Sequence, residues 1–421
     1  MDSHQSPKPE CLVPSPTGAL ARTAASALIK RGLQDVTFTC ARWTRKHLWE
    51  GPRAVRVSPL GYVAGRWESR YGDRILSIAI YNPESDRRSV IEAPCLATRL
   101  GGAEQKLLDL LTSFAWSPCG RYLLAAAVDD PAPLPLRLYG AKQSEFLGVI
   151  GEPDVVQPVS LRHAPWKAKY LATAGHAIRI WDIECNPPEP FRLAKRAALD
   201  FSAWVLQANQ TPGELPSEDL PPAHRSGGGA FANPAFSADG TLIAVSTEST
   251  ESVLSQLRKA TALSSGQQVS TEWNELVLSQ GPESIVGFEV STLEQRFEAK
   301  TPATVDSLSW AASGELIACG ERVYRIEARR GTSSALPLQA EFCCCHPVHD
   351  ICAFASCKSK GSRRSLSSYN VLLVRLADLV TVAEQPVAGD VDDMCWSPDG
   401  RKLYVVTSAG DLWTCAFSEV P

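Results

Sequence analysis

Cysteine and histidine are concentrated in one short segment of the chain, which contains Cys343, Cys344, Cys345, His346 and His349. Tetrahedral zinc needs four thiolate or imidazole ligands that point at one centre. On a strand, however, Cys343 and Cys345 point to one side and Cys344 points to the other. This ligand geometry does not suit zinc, so we predict no metal site and no cofactor.

Nucleophilic catalysis has no recognisable site in the sequence. A hydrolase needs a nucleophile close to a general base, but the 7 histidines are scattered along the chain. There is no Gly-x-Ser-x-Gly nucleophile elbow and no Gly-x-x-x-x-Gly-Lys-Ser/Thr phosphate loop. We therefore predict that the protein is not an enzyme.

Two basic clusters are the remaining candidates for a binding site. Arginine forks bind carboxylates and phosphates well, so an acidic or phosphorylated partner is one interpretation. A solvated surface is the other, because charge runs usually have that role. The candidate partner-binding residues are Arg45 and Lys46, close to two tryptophans, and Lys358, Lys360, Arg363 and Arg364 in a Ser-rich stretch.

The composition argues against several classes of protein. With 42 basic and 46 acidic residues, the net charge of -4 is not that of a general nucleic-acid binder, so nucleic acid is not expected as the primary ligand. The first residues lack the basic and apolar regions of a secretory signal, and no apolar run is long enough to span a membrane. The 13 cysteines fall in strand-like segments, as buried thiols do in a reducing compartment. We expect an intracellular protein, either cytoplasmic or nuclear.

A short phrase recurs along the chain in degraded copies. Ser397–Val406 contains Ser-Pro-Asp-Gly followed by apolar residues, and Ser117–Ala125 and Ser237–Val245 repeat the pattern. Each copy predicts a strand, a tight turn made by Pro and Gly, and a second strand, which together form the middle of a β-propeller blade. Seven segments fit this template: Val55–Ala64, Phe114–Ala125, Leu161–Thr173, Pro234–Val245, Leu308–Cys319, Cys343–Phe354 and Met394–Val406.

The last of these blades is one strand short. Its third strand is predicted at Leu412–Phe417, and little sequence follows it. A strand-like segment at Val36–Cys40 is a candidate for the missing fourth strand. We predict that this N-terminal strand completes the last blade, because such a closure would remove an exposed sheet edge.

Trp181-Asp182 after a strand, His346-Pro347 and the Ser-Pro-Asp-Gly turns resemble the motifs of WD40-repeat propellers over residues 35–420. The resemblance implies an all-β, seven-bladed ring that serves as a binding platform. The turns are also similar to those of TolB-type propellers, which often have six blades. The seven copies and the start of the chain favour the WD40-like ring. In the repeat alignment His346-Pro347 coincides with Ser397-Pro398, which predicts a turn there.

Three stretches depart from the blade pattern. Residues 1–34 form an N-terminal extension with a predicted helix at 19–31, which leaves 35–421 as a single propeller. Residues 187–230 are rich in Pro and Gly and predict a long loop, whereas 250–282 predict an insertion on one rim. Linker or surface decoration is one interpretation of these insertions, and a partner-binding loop is the other.

The pattern as a whole predicts a non-catalytic scaffold that binds other proteins or peptides as a subunit or adaptor of an intracellular complex. A rigid ring presents its loops at fixed positions, which lowers the ordering cost of binding. Two alternatives stay open at this point. One is a propeller hydrolase or lyase with a site at the mouth of the central channel. The other is a phosphate- or nucleic-acid-binding platform built on the basic loops.

Overall fold

A computed structural model gives the fold of the chain. The structure describes residues 33–42, 52–67, 77–82, 87–92, 95–100, 103–108, 110–128, 136–142, 145–150, 160–163, 170–174, 177–184, 191–200, 232–248, 283–302, 305–320, 322–357, 368–408 and 411–419.

The described residues form seven four-stranded antiparallel sheets, the blades, and one separate hairpin. Blade 1 contains β2 (Pro52–Val57), β3 (Val63–Trp67), β4 (Ser77–Asn82) and β5 (Arg87–Glu92), and the hairpin of β6 (Cys95–Leu100) and β7 (Ala103–Leu108) follows it. Blade 2 contains β8 (Leu110–Trp116), β9 (Tyr122–Val128), β10 (Leu136–Gly140) and β11 (Phe146–Ile150). Blade 3 contains β12 (Ser160–His163), β13 (Tyr170–Ala174), β14 (Ala177–Glu184) and β15 (Arg192–Asp200).

The other four blades follow in chain order. Blade 4 contains β16 (Ala232–Phe236), β17 (Leu242–Glu248), β18 (Glu283–Glu289) and β19 (Gln295–Thr301). Blade 5 contains β20 (Val305–Trp310), β21 (Leu316–Gly320), β22 (Val323–Glu327) and β23 (Thr332–Ala335). Blade 6 contains β24 (Phe342–Cys345), β25 (Ile351–Cys357), β26 (Ser368–Arg375) and β27 (Val380–Ala388). Blade 7 contains β28 (Val391–Trp396), β29 (Lys402–Thr407), β30 (Asp411–Glu419) and, paired with β30, β1 (Leu33–Arg42).

The prediction of an all-β, seven-bladed propeller is confirmed. Each of the seven segments that fit the repeat coincides with the first two strands of a blade. The first strands form a closed ring, because β2 contacts β8 and β28, β12 contacts β8 and β16, β20 contacts β16 and β24, and β24 contacts β28. Buried apolar side chains fill the spaces between neighbouring blades.

One predicted loop is partly a strand. Residues 187–230 were expected to form a long loop, but Arg192–Asp200 form β15, the outermost strand of blade 3. The reason is that an outermost strand faces solvent and needs little apolar character, so the strand lacks the alternation of the inner strands. Charged side chains on such an edge also oppose pairing with other chains.

Three other features differ from the predictions or lie beyond them. The β6–β7 hairpin between blades 1 and 2 was not predicted. The helix predicted at 19–31 and the insertion predicted at 250–282 both lie outside the described residues.

Strand direction sorts the connections onto two faces of the ring. Strands alternate in direction within a blade, so the turns from first to second strand share a face with those from third to fourth. We call it the turn face; Ser117–Arg121 and Ser397–Arg401 are examples. The opposite side, here called the connection face, carries the links from second to third strand and from blade to blade. The stretches 201–231 and 249–282 both start and finish at strand ends on the connection face.

The recurring Ser-Pro-Asp-Gly phrase is a hydrogen-bonded turn. In blade 7, Ser397 Oγ donates to Asp399 Oδ1 at 2.6 Å and accepts the Lys402 N–H at 2.9 Å. Asp399 Oδ1 also accepts the Arg401 N–H at 3.1 Å. Gly400 has a φ of 71°, a conformation that glycine adopts without steric cost. Ser237 and its neighbours repeat these bonds in blade 4.

Tryptophans just before three of the turns join neighbouring blades. Their indole Nε1–H groups donate to main-chain carbonyls of the first strand in the preceding blade. The bonds are Trp116 to Arg56 O at 3.0 Å, Trp310 to Ala235 O at 3.0 Å, and Trp396 to Cys344 O at 2.8 Å. These side chains therefore combine apolar packing with a hydrogen bond between blades.

Polar side chains at the channel edge of the first strands also form hydrogen bonds between neighbouring blades. Ser307 Oγ accepts the Cys343 N–H at 3.2 Å, and Ser309 Oγ accepts the Cys345 N–H at 2.9 Å. Both bonds span 36 residues, so β20 and β24 run parallel in adjacent blades.

The contact between Gly400 and His346 gives a test of turn packing. A Cβ on Gly400 would overlap the imidazole of His346, whereas a Cβ on Gly314 would meet nothing within 4 Å. Both glycines have positive φ. We expect Gly314→Ala to cost about 1 kcal/mol of unfolding free energy through backbone strain. Gly400→Ala should cost about 1–3 kcal/mol more, because the methyl group overpacks the contact.

Urea denaturation of the two variants measures this difference, and Gly314→Ala serves as the control for backbone strain alone. In a His346→Ser background the excess cost of Gly400→Ala should disappear. Equal losses for both substitutions would show that the imidazole does not limit the space at Gly400.

Candidate functional site

The six basic residues predicted to bind a partner all lie outside the described residues. The strand ends nevertheless fix where their segments begin and end. Lys358, Lys360, Arg363 and Arg364 lie between the second and third strands of blade 6, and Arg45 and Lys46 lie between β1 and β2. Both segments therefore start and finish at the connection face, in one sector of the ring formed by blades 6, 7 and 1.

The start of β26, which follows the blade 6 segment, is held by polar contacts. Tyr369 Oη donates to Glu341 Oε2 at 2.6 Å, and the Asn370 side-chain amide donates to Glu384. Burial and the neighbouring Glu341 raise the pKa of Tyr369, so the phenol keeps the proton that it donates. The strand that follows the basic segment therefore begins at a position fixed by hydrogen bonds.

His346 is a structural residue of a turn. Its Nε2 lies 2.9 Å from the Gly400 carbonyl oxygen, and its Nδ1 accepts the N–H groups of Val348 at 3.0 Å and His349 at 2.9 Å. The proton is therefore assigned to Nε2. Burial and the neighbouring His349 lower the pKa of His346 to about 4, which keeps the ring neutral. Both nitrogens already have partners, which is unsuitable for metal coordination.

The cysteine-rich strand has the two-sided arrangement expected from its sequence. Cys343 and Cys345 are buried, whereas Cys344 is half-buried. The two buried thiols join Cys319 and Cys352 in the core between blades 5 and 6. Among the described residues, no group of three or more His, Cys, Asp or Glu side chains is arranged to hold a metal ion.

Sequence reasoning missed an ion pair at the central channel. Arg56 on β2 and Asp393 on β28 form a salt bridge between blades 1 and 7, and Asp393 Oδ2 also accepts the Val55 N–H at 3.0 Å. Burial alone would lower the pKa of Arg56, but Asp393 outweighs that effect and the pKa is raised. No sequence signal links two residues so far apart along the chain.

The turn face also carries exposed apolar side chains. Leu60 is 52% exposed and Val348 is 64% exposed. Each occupies the third turn position, where Asp239 and Asp399 stand in blades 4 and 7. The exposure of these two side chains could have been predicted from the repeat alignment, because an aliphatic residue replaces a turn-stabilising aspartate at both positions.

Comparisons with known proteins agree with the architecture. No protein-family profile matches the chain, and no curated protein matches it in sequence. A solved structure titled "Crystal Structure of Mitotic Checkpoint Complex" contains a similar chain, with a TM-score of 0.53 and 13% sequence identity. The alignment covers 99% of this chain and 96% of that chain. At this identity the likeness shows the fold alone, which is that of an all-β, seven-bladed propeller.

The buried imidazole of His346 predicts a loss of stability in weak acid. The unfolded histidine titrates near its ordinary pKa of 6.5, and the folded one titrates with a pKa of about 4. Because the folded pKa is depressed, the unfolded state binds more protons between these values. The stabilising contribution is therefore complete above pH 6.5 and is lost as the pH falls toward 4, by about 3 kcal/mol.

Urea unfolding at about pH 7.5, 5.5 and 4.5, which spans the titration window, measures this effect as the difference between the native chain and His346→Ser. Serine stands at the same turn position in blades 1, 2, 4 and 7 and does not titrate in this range. The native chain should lose more stability than the variant across the window. Parallel pH profiles would contradict the assignment of a buried neutral His346.

Proposed function

We propose that the protein is a non-catalytic interaction scaffold that binds other proteins or peptides through its connection face. The observation that supports this most is the difference between the two faces. The described turns of the turn face are short and hydrogen-bonded, whereas the stretches 201–231, 249–282 and 358–367 all begin and end at the opposite side. Long loops on a rigid ring are well suited to recognition, because the ring holds them in fixed relative positions.

The partner that we propose carries an acidic or phosphorylated segment. Arg45 and Lys46 enter from the blade 7 side, and Lys358, Lys360, Arg363 and Arg364 enter from blade 6. Their segments start on one face of neighbouring blades, so one extended anionic segment could contact both. Guanidinium groups bind carboxylate and phosphate oxygens in pairs, which gives orientation as well as affinity.

We further propose that this scaffold acts inside the cell, in the cytoplasm or nucleus, as part of a larger complex. Burial raises the pKa of the Cys319, Cys352 and Cys415 thiols well above the ordinary value, as expected for cysteines that serve as small apolar core residues. In the part of the chain that the structure describes, no helix is long and apolar enough to cross a membrane.

Finally, we propose that pairing between β1 and β30 is what closes and stabilises the ring. Phe38 lies opposite Cys415 in this antiparallel pair, which spans Leu33 to Arg42 on one strand. Without β1, strand β30 would present an open edge to solvent. Closure between two distant parts of the chain removes this exposed edge.

The scaffold proposal predicts partners that depend on the basic connection-face segment. We expect replacement of Lys358, Lys360, Arg363 and Arg364 by Ala to weaken partner binding about tenfold or more, because charge-assisted contacts to an anionic partner are lost. Quantitative affinity purification followed by mass spectrometry, at two salt concentrations, measures the loss. Binding of the native chain should weaken as salt increases.

A matched control removes four exposed basic residues from the turn face, namely Arg121, Lys142, Arg401 and Lys402. This variant should retain the partners of the native chain. A pattern in which both variants lose the same partners, or in which only the control does, would contradict binding at the connection face.

The closure proposal predicts different results for two truncations. Removal of residues 1–45 should lower the unfolding free energy by about 5 kcal/mol, because each lost strand hydrogen bond contributes about 0.5–1.5 kcal/mol. Removal of residues 1–31 leaves β1 in place and should have little effect. Urea and thermal unfolding of both proteins provide the comparison, and an unchanged transition for the longer truncation would disprove closure by β1.

A further inference from the structure

Two cysteines face each other across the first two strands of blade 6. Cys345 on β24 is the register partner of Cys352 on β25, and their Sγ atoms lie 3.3 Å apart. The side chains are 7% and 0% exposed. The two thiols are therefore in hydrogen-bonding contact but are not covalently linked.

The backbone pattern at this pair is the one that brings side chains closest. The His346 N–H donates to the Ile351 carbonyl at 2.8 Å, so the pair 346/351 is hydrogen-bonded. Antiparallel pairs alternate, and Cys345 and Cys352 therefore form a non-hydrogen-bonded pair. At such pairs the Cα atoms are about 4.5 Å apart, which lies within the range that a disulfide can span.

We propose that Cys345 and Cys352 form a dithiol that is converted to a disulfide by a low-molecular-weight disulfide such as oxidised glutathione. One thiolate attacks the oxidant to give a mixed disulfide and releases one glutathione. The second cysteine thiolate then attacks the protein sulfur of the mixed disulfide and releases another glutathione. The net change is two thiols and one glutathione disulfide to one protein disulfide and two glutathiones.

Burial determines when this exchange can occur. Desolvation raises the pKa of Cys352 well above its ordinary value, and the neighbouring thiols of Cys343 and Cys345 raise it further. The closed fold therefore disfavours the thiolate that must attack. The reaction requires the turn His346–Asp350 to open, and the same burial afterwards protects the bond from reductants.

The other cysteines of this region provide contrasts for the assignment. Cys343 lies on the same face of the same strand, but its register partner is Phe354. Cys357 is partly exposed and lies opposite Tyr369, and the partly exposed Cys119 lies in the turn between β8 and β9. Contact across the pair, rather than exposure, should select Cys345 and Cys352.

The experiment incubates the full chain with mixtures of oxidised and reduced glutathione, with and without a low urea concentration that promotes local opening. Remaining thiols are blocked with N-ethylmaleimide, and the protein is digested with trypsin and with a protease that cleaves before aspartate. Cleavage at Asp350 separates Cys345 from Cys352, so a disulfide between them appears as a cross-linked pair of peptides.

We expect the Cys345–Cys352 link to form under oxidising mixtures, faster in low urea, with a mass loss of two hydrogens. Cys345→Ala and Cys352→Ala should abolish the link, and Cys343→Ala should leave it unchanged. If a variant does not fold, fragmentation of the cross-linked peptides from the native chain still identifies the linked pair, because one peptide carries Cys343, Cys344 and Cys345 and the other carries Cys352 and Cys357. Two results would overturn the proposal: a dominant link from Cys343 to Cys352, or glutathionylation of Cys119 and Cys357 with no link at Cys345.

Discussion

The whole ring depends on how the backbone N–H groups of the innermost strands find hydrogen-bond acceptors. Each first strand lies at the end of its sheet, so one edge faces the channel without a strand partner. A buried N–H without an acceptor costs about 1–3 kcal/mol. Side chains from the preceding blade of the ring fill this need, as Ser307 and Ser309 do for β24 and Asp393 does for β2. The bonds that solve a local problem in one strand therefore also hold neighbouring blades together.

The repeated turns on the turn face likewise combine local hydrogen bonds with contacts between blades. Serine, aspartate and glycine form a local hydrogen-bond network in blades 4 and 7, and the chain replaces that chemistry in blade 6 with His346. The imidazole accepts main-chain N–H groups within its own turn and also contacts Gly400 in the next blade. A divergent residue thus keeps the turn and gains an inter-blade contact. This explains how the repeat can degrade while the architecture persists.

The blades were predictable from sequence because their inner strands alternate and their turns need particular residues. Gly120, Gly240 and Gly400 adopt positive φ, which few other residues tolerate, so their positions survive as a signal. Strand β15 escaped prediction because its edge faces solvent and carries charges instead of an apolar face. The pairs Arg56–Asp393 and Cys345–Cys352 depend on strand packing and register, which periodicity does not specify. The basic segments were found by composition, and only strand direction assigned both to one face.

The pairing of Leu33 with Glu419 has a practical consequence for how the molecule can be anchored. β1 enters its sheet, and β30 leaves it, at the turn face. Any polypeptide attached before Leu33 or after Glu419 therefore departs from the same side of the ring. An anchor fused directly at either position would attach at the turn face, so the connection face would point away from the anchor. Fusions made at these two positions would therefore share one attachment side, the turn face.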